Sequence, residues 1–144
     1  MNTVRDVHVL SMPMHVSTIG GRPAGNLVSV DISKDLPFIP ARIFYVSSVS
    51  ERHDRGRHAH RETVQIISCI NGSVGLTLRD GQGGVVTFNL KSPNTAIYVP
   101  NMIWDEVDYE DSNSTLLVFS NTPFNAEDYI KDWTSYINEY NKTS

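Results

Sequence analysis

The dipeptide Asn71-Gly72 stands between two apolar runs, residues 63–70 (TVQIISCI) and 73–78 (SVGLTL). In that setting it predicts a β-hairpin, because both central residues of a type I′ turn take positive φ. A run as apolar as TVQIISCI suits a strand buried on both faces. The same punctuation then repeats. Asp80-Gly81-Gln82-Gly83-Gly84 leads into residues 85–90, Lys91-Ser92-Pro93-Asn94 leads into residues 95–99, and residues 114–120 predict a last strand. Upstream, residues 26–31 alternate and residues 41–46 are β-branched and aromatic. Short strands at even spacing predict an all-β sandwich or barrel.

Only the C-terminal end changes period. Asn125 is placed to cap a helix, with Glu127 and Asp128 in its first turn. Tyr129, Ile130, Trp133, Tyr136, Ile137 and Tyr140 follow helical spacing. The expectation is a helix over about residues 126–140 that closes one end of the barrel or packs on its outside. With no repeat or linker, residues 1–144 read as one domain.

Charge and composition remove several classes of function. The net charge is −4 with no block of like charge, so a nucleic-acid partner, which needs a coherent basic face, is not expected. No apolar run approaches the ~18 residues of a membrane span, and the first ten residues mix charges into a short apolar stretch, unlike a signal peptide. Cys69 is the one cysteine and lies in an apolar run, which points to a reducing cytoplasm and a core role. The local exception is basic: Arg52, His53, Arg55, Arg57, His58, His60 and Arg61 cluster in this acidic chain. Such a cluster is either a solvated loop or a pocket for a small anion such as a nucleotide diphosphate.

Within it, His58 and His60 are two apart, so on a strand they share a face. Two imidazoles on one face can bind a metal or serve as acid and base. The spacing His58-Ala59-His60, Gln65, Gly72 resembles the first cupin motif, with Gln65 at its glutamate position. Pro100-Asn101-Met102-Ile103-Trp104-Asp105 resembles the second, with Met102 for its glycine and Asp105 for its histidine.

These changes make the chain resemble the dTDP-4-keto-6-deoxyglucose 3,4-ketoisomerases. Arg55-Gly56-Arg57-His58-Ala59-His60-Arg61 is similar to their R-G-x-H-A-H-K signature. Gly25-Asn26-Leu27-Val28, Arg42-Ile43-Phe44-Tyr45-Val46, Cys69-Ile70-Asn71-Gly72-Ser73, Ile97-Tyr98-Val99-Pro100 with Trp104, and Glu127-Asp128-Tyr129-Ile130 are similar to further segments of that family. The resemblance implies a cupin, or jelly-roll, β-barrel with a C-terminal helix. It implies isomerisation of a dTDP-linked keto sugar through an enediol, with no cofactor and no metal, in the making of deoxyamino sugars for O-antigen or S-layer glycans. It also implies a homodimer that exchanges N-terminal strands.

By the same resemblance His58 and His60 are the catalytic pair. Arg42 and Arg55 are candidates for the diphosphate, Tyr98 and Trp104 for stacking on base or sugar, and Gln65 and Asp105 for further substrate contact. Three positions depart from the family: Phe44 stands at a tyrosine position, Asp105 at a histidine or arginine position, and Arg57 where an aromatic usually precedes the first histidine. Tyr45 cannot replace the missing hydroxyl, because a neighbouring residue faces the other side of a strand. Two other readings remain open. His58, His60, Asp105 and Gln65 would hold a metal in a metal-dependent cupin enzyme, and a barrel without catalysis would bind the sugar nucleotide only.

Overall fold

The structure is a computed structural model and describes residues 1–50 and 55–144. Its strands are β1 (His8–Ser11), β2 (Met14–Ile19), β3 (Arg22–Val28), β4 (Arg42–Val46), β5 (Gly56–His60), β6 (Gln65–Asn71), β7 (Val74–Arg79), β8 (Val85–Leu90), β9 (Thr95–Val99), β10 (Trp104–Tyr109), β11 (Thr115–Ser120) and β12 (Tyr129–Ile130). Two helices, α1 (Ile32–Asp35) and α2 (Trp133–Lys142), accompany them. The strands pair antiparallel in two five-stranded sheets, ordered β1-β9-β6-β11-β4 and β12-β5-β10-β7-β8, while β2 and β3 form a separate ribbon. This is the cupin barrel.

The sheets face each other across one core, because inward residues alternate on both. Ile67 and Cys69 of β6, Ile97 and Val99 of β9, and Leu116 and Val118 of β11 meet Leu76 and Leu78 of β7 and Val107 of β10, all nearly inaccessible. Cys69 is therefore a core residue, as its apolar surroundings predict. Two smaller clusters cover the outer faces. Met12, Leu36 and Phe38 lie over Ile66, Ala96 and Phe119 of the first sheet. Tyr136, Ile137 and Tyr140 of α2 lie over Ala59 and Trp104 of the second. The helix thus packs on the barrel's outside.

The Asn71-Gly72 expectation is corrected. β6 pairs with β9 and β11, whereas β7 pairs with β10 and β8, so this turn carries the chain from one sheet to the other. Gly72 does take positive φ, 74°. The groups that a hairpin partner would satisfy go instead to the buried Ser114, whose hydroxyl accepts from the Ser73 N–H at 3.1 Å and donates to the Ser73 carbonyl at 2.7 Å. A Cβ on residue 72 would lie 2.6 Å from that hydroxyl oxygen, so the close approach of Ser114 also requires glycine. The β7–β8 turn is a true hairpin, with Asp80 accepting from the N–H groups of Gln82 and Gly84 at 2.9 and 2.7 Å.

The C-terminal helix is also shorter than its spacing predicts. Asn125 caps only a single 3₁₀ turn, Ala126–Asp128. Tyr129 and Ile130 are then extended, because they pair with His60 and Ala59. The helix proper begins at Trp133, with Asp132 accepting from the Ser135 N–H at 2.8 Å. Strand β3 ends at Val28 rather than continuing to residue 31, and Asp31 caps α1 instead. In the β2–β3 ribbon, Val16, Ile19 and Leu27 are 60%, 76% and 56% exposed. Among the described residues no helix is long and apolar enough to cross a membrane.

Candidate active site

Alternation along β5 sends His58 and His60 into the barrel and Ala59 outward beneath α2. A bulge sets their register. Asp105 of β10 lies opposite His58, but the next residue, Glu106, lies opposite Gly56, so Arg57 is the extra residue. Its φ is 69°, and Gly56 takes 76°. Bulges of this kind re-aim neighbouring side chains; here the result is that His58 and the Asp105 carboxylate meet. A Cβ at Gly56 would sit 2.8 Å from the Val107 nitrogen and 3.1 Å from Asp105 Oδ1.

His58 opens on a cavity of about 410 Å³. Its floor is aliphatic, with Ile67, Val107 and Val118, and its wall carries Arg55, His58, Gln65, Asp105, Tyr129 and Lys131. The Nε2 atoms of His58 and His60 lie 3.1 Å apart, and Nδ1 of His60 lies 2.8 Å from Asp128 Oδ2. Asp128 is held in turn by the Thr63 hydroxyl at 2.5 Å and the Glu62 N–H at 2.7 Å. Burial raises the Asp128 carboxyl, but these hydrogen bonds outweigh it and keep the group below the usual carboxylate range. Burial, and then charge on His58, push His60 down to about 4 against the pull of Asp128.

The proton positions follow. An ionised Asp128 accepts from His60 Nδ1–H, so the neutral His60 ring presents a bare Nε2, and His58 Nε2–H donates to it. Nδ1 of His58 is left as the ring's free position. It lies 3.6 Å from Oδ1 of Asp105. Asp105 is 3% exposed, and its Oδ1 has no hydrogen-bond partner among the described residues. Burial raises the Asp105 carboxyl, opposed by His58 and by the Arg57 N–H.

Residues 5–141 match the family model described as FdtA: WxcM-like, C-terminal. The chain belongs to the FdtA family. It is 30% identical over 112 residues, 78% of this chain and 80% of the other, to the TDP-4-oxo-6-deoxy-α-D-glucose-3,4-oxoisomerase of Aneurinibacillus thermoaerophilus. It superposes on the sugar 3,4-ketoisomerase QdtA of Thermoanaerobacterium thermosaccharolyticum, solved with TDP, with a TM-score of 0.86, 25% identity and 96% of each chain covered. A 3,4-ketoisomerase from Helicobacter canadensis superposes with a TM-score of 0.84 at 26% identity, covering 94% of this chain and 98% of that one.

In this FdtA-family barrel the residues singled out by sequence divide into two groups. His58, Gln65, Asp105 and Arg55 share the cavity, and His60 lies behind His58. Phe44 lines the cavity too, while Tyr45 is 71% exposed on the other face of β4. Arg42 stands near, its guanidinium 5.0 Å from the Phe44 ring centroid and 5.5 Å from that of Phe124. Two aromatic candidates fall elsewhere. Tyr98 faces the outer side of β9 and stacks on His8, because its neighbours Ile97 and Val99 take the inward positions. Trp104 is buried under α2 against Trp133 and Tyr136. Arg52 and His53 lie outside the described residues.

The structure adds Asp128 and Tyr129, which sequence reading took for the start of a helix. The Tyr129 ring centroid is 4.4 Å from that of His60 and 5.0 Å from that of His58. A metal set of His58, His60 and Asp105 does not assemble: among the described residues no group of three or more His, Cys, Asp or Glu side chains could hold an ion. The two Nε2 atoms point at each other instead of at a common external point.

Proposed function

We propose that this chain is a sugar-nucleotide 3,4-ketoisomerase, acting on a dTDP-linked 4-keto-6-deoxyhexose. The observation that carries this reading is Nδ1 of His58, not held by His60, at the wall of a cavity with an aliphatic floor, in a family whose relatives bear that activity by name. The reaction needs a base near neutral pH and a donor for the oxygen where charge develops. His58 takes the proton from carbon 3 of the sugar, an enediol forms, and a proton returns at carbon 4. His60, oriented by Asp128, fixes the tautomer of His58. Arg55 at the cavity rim supplies a planar fork for the diphosphate, and Gln65 supplies a neutral polar contact.

The test is proton NMR of chelator-treated protein with dTDP-4-keto-6-deoxyglucose in deuterium oxide. Loss of the carbon-3 proton signal and growth of a 3-keto product is the expected result. Neither change would remove the enzyme reading. One observation favours a second reading, a barrel that binds without turnover: Phe44, at a position where the family resemblance implies tyrosine, puts a phenyl ring with no transferable proton on the cavity wall. Tight binding of the keto sugar with no hydrogen exchange would select it.

We also infer a homodimer and a cytoplasmic role in supplying deoxyamino sugars for O-antigen or S-layer glycans. The β2–β3 ribbon supports the dimer, since a two-stranded ribbon with Val16, Ile19 and Leu27 exposed is marginal alone. Light scattering that finds a monomer at micromolar concentration would overturn that part.

A further inference from the structure

Phe44 and Asp105 line the same cavity as His58. Phe44 has no proton to give. Asp105 has two carboxyl oxygens, one satisfied by the Arg57 N–H and the other, Oδ1, buried without a partner among the described residues. Asp105 lines the cavity, and that oxygen lies beside the one ring nitrogen of His58 that His60 does not hold. At 3.6 Å the two are too far apart to satisfy each other and close enough to reach adjacent atoms of one ligand. The Arg57 bulge and the bare Cα of Gly56 make room for this arrangement.

We infer that Asp105 is a catalytic acid of this chain, giving its carboxyl proton to the carbonyl oxygen on carbon 4 of the sugar while His58 Nδ1 takes the hydrogen from carbon 3. The inference rests on the isomerase reading above. In the first half, the carbon-3 C–H bond breaks and its electron pair forms the carbon 3–carbon 4 double bond. The carbonyl π pair takes the Asp105 proton, leaving an enediol, an imidazolium and a carboxylate. In the second half, Asp105 takes the proton of the carbon-3 hydroxyl, whose oxygen becomes the new carbonyl. The double-bond pair then takes the proton from His58 at carbon 4. Carbon 3 is oxidised and carbon 4 reduced by the same pair of electrons, so no outside oxidant or reductant is needed. Both residues finish as they began.

An acid must be protonated to act, and several groups bear on this one. His58 and the Arg57 N–H favour the carboxylate; burial and the Glu106 carboxylate favour the acid. Arg55, Lys131, Tyr109 and Tyr129 line the same cavity.

The experiment compares wild type, Asp105→Asn and Asp105→Glu by hydrogen exchange at carbon 3 and by the pH dependence of kcat. Asp105→Asn is expected to lower kcat by about 10²-fold, the ordinary share of a general acid, with KM little changed. It is also expected to abolish the fall of kcat on the alkaline side, which a packing role would leave in place. Asp105→Glu should restore part of the rate and that alkaline fall. Wild-type exchange that Asp105→Asn leaves unaltered overturns the inference alone; no exchange in wild type overturns the isomerase reading and the inference together. Should Asp105→Asn not fold, the wild-type profile decides, and a kcat flat through the alkaline range overturns the role.

Discussion

Nδ1 of His60 and Oδ2 of Asp128 are 2.8 Å apart, although 68 positions separate the residues in the chain. Because Asp128 is ionised and His60 is neutral, this one contact fixes the proton positions of both histidines. Asp128 accepts from the far side of His60, and that leaves Nδ1 as the nitrogen of His58 without the ring proton.

The pair makes stability depend on acid. His60 is pushed down to about 4 in the folded chain, below its ordinary 6.5, so the unfolded state binds more protons between those values. Its contribution is complete above about pH 6.5 and declines as pH falls toward 4, by on the order of 2 kcal/mol at pH 4.5. Asp128, held low, begins to lose its own contribution only at still lower pH. Urea unfolding at pH 7 and 4.5 should show this loss, and His60→Gln should flatten it. A slope unchanged in His60→Gln would refute the assignment.

His58→Asn should reduce isomerisation by about two to four orders of magnitude, the range for a general acid–base group. The side chain is at the cavity wall and not in the core, so melting temperature and nucleotide binding should be nearly unchanged. Turnover close to wild type would return the proton transfer to another residue.

Arg55→Ala should weaken dTDP binding by about 1.5–3 kcal/mol, as for a hydrogen bond to a charged group. Arg55→Lys should weaken it as well, since an ammonium cannot reproduce the two-pronged geometry. Titration calorimetry on both variants checks this; equal affinity in all three proteins would make Arg55 an ordinary surface charge.

Dialysis against a strong chelator should leave activity unchanged. The Nε2 atoms are engaged with each other, and Nδ1 of His60 is engaged with Asp128. Stoichiometric zinc, iron or manganese in the purified protein, with activity lost on removal, would contradict this.

Gly56→Ala should destabilise the fold by about 1–3 kcal/mol, from the positive φ and the 2.8 Å approach to Val107. Any folded fraction should also lose activity, because the new methyl presses on Asp105 Oδ1. Unfolding and rate measurements on one preparation separate the two effects, and a fully stable, fully active variant would mean that the bulge tolerates a side chain.

The site was legible in sequence where period-two alternation decides it. His58 and His60 face inward, and Phe44 and Tyr45 face opposite ways, as a strand requires. Three things were hidden. Alternation gives relative facing but not which face is inside, so Tyr98 reads as a cavity aromatic although it lies outside. Asn71-Gly72 is the same local signal whether the next strand pairs with the last or leaves for another sheet, and Ser114, which decides it, is far away in sequence. Asp128 and Tyr129 sit at helical spacing from Trp133 and Tyr136, yet pairing with β5 overrides that local preference. The strand β10, WDEVDY, is hidden in the sequence because its acidic residues resemble a loop, although Glu106 and Asp108 are the more exposed positions that alternate with the buried Asp105, Val107 and Tyr109.

The placement of β12 makes one short segment serve two ends. By pairing with β5 it covers what is otherwise the edge of the second sheet. By the same pairing it sets Asp128 against His60. A chain shortened before Asp128 would therefore lose edge protection and the orientation of the histidines in one step.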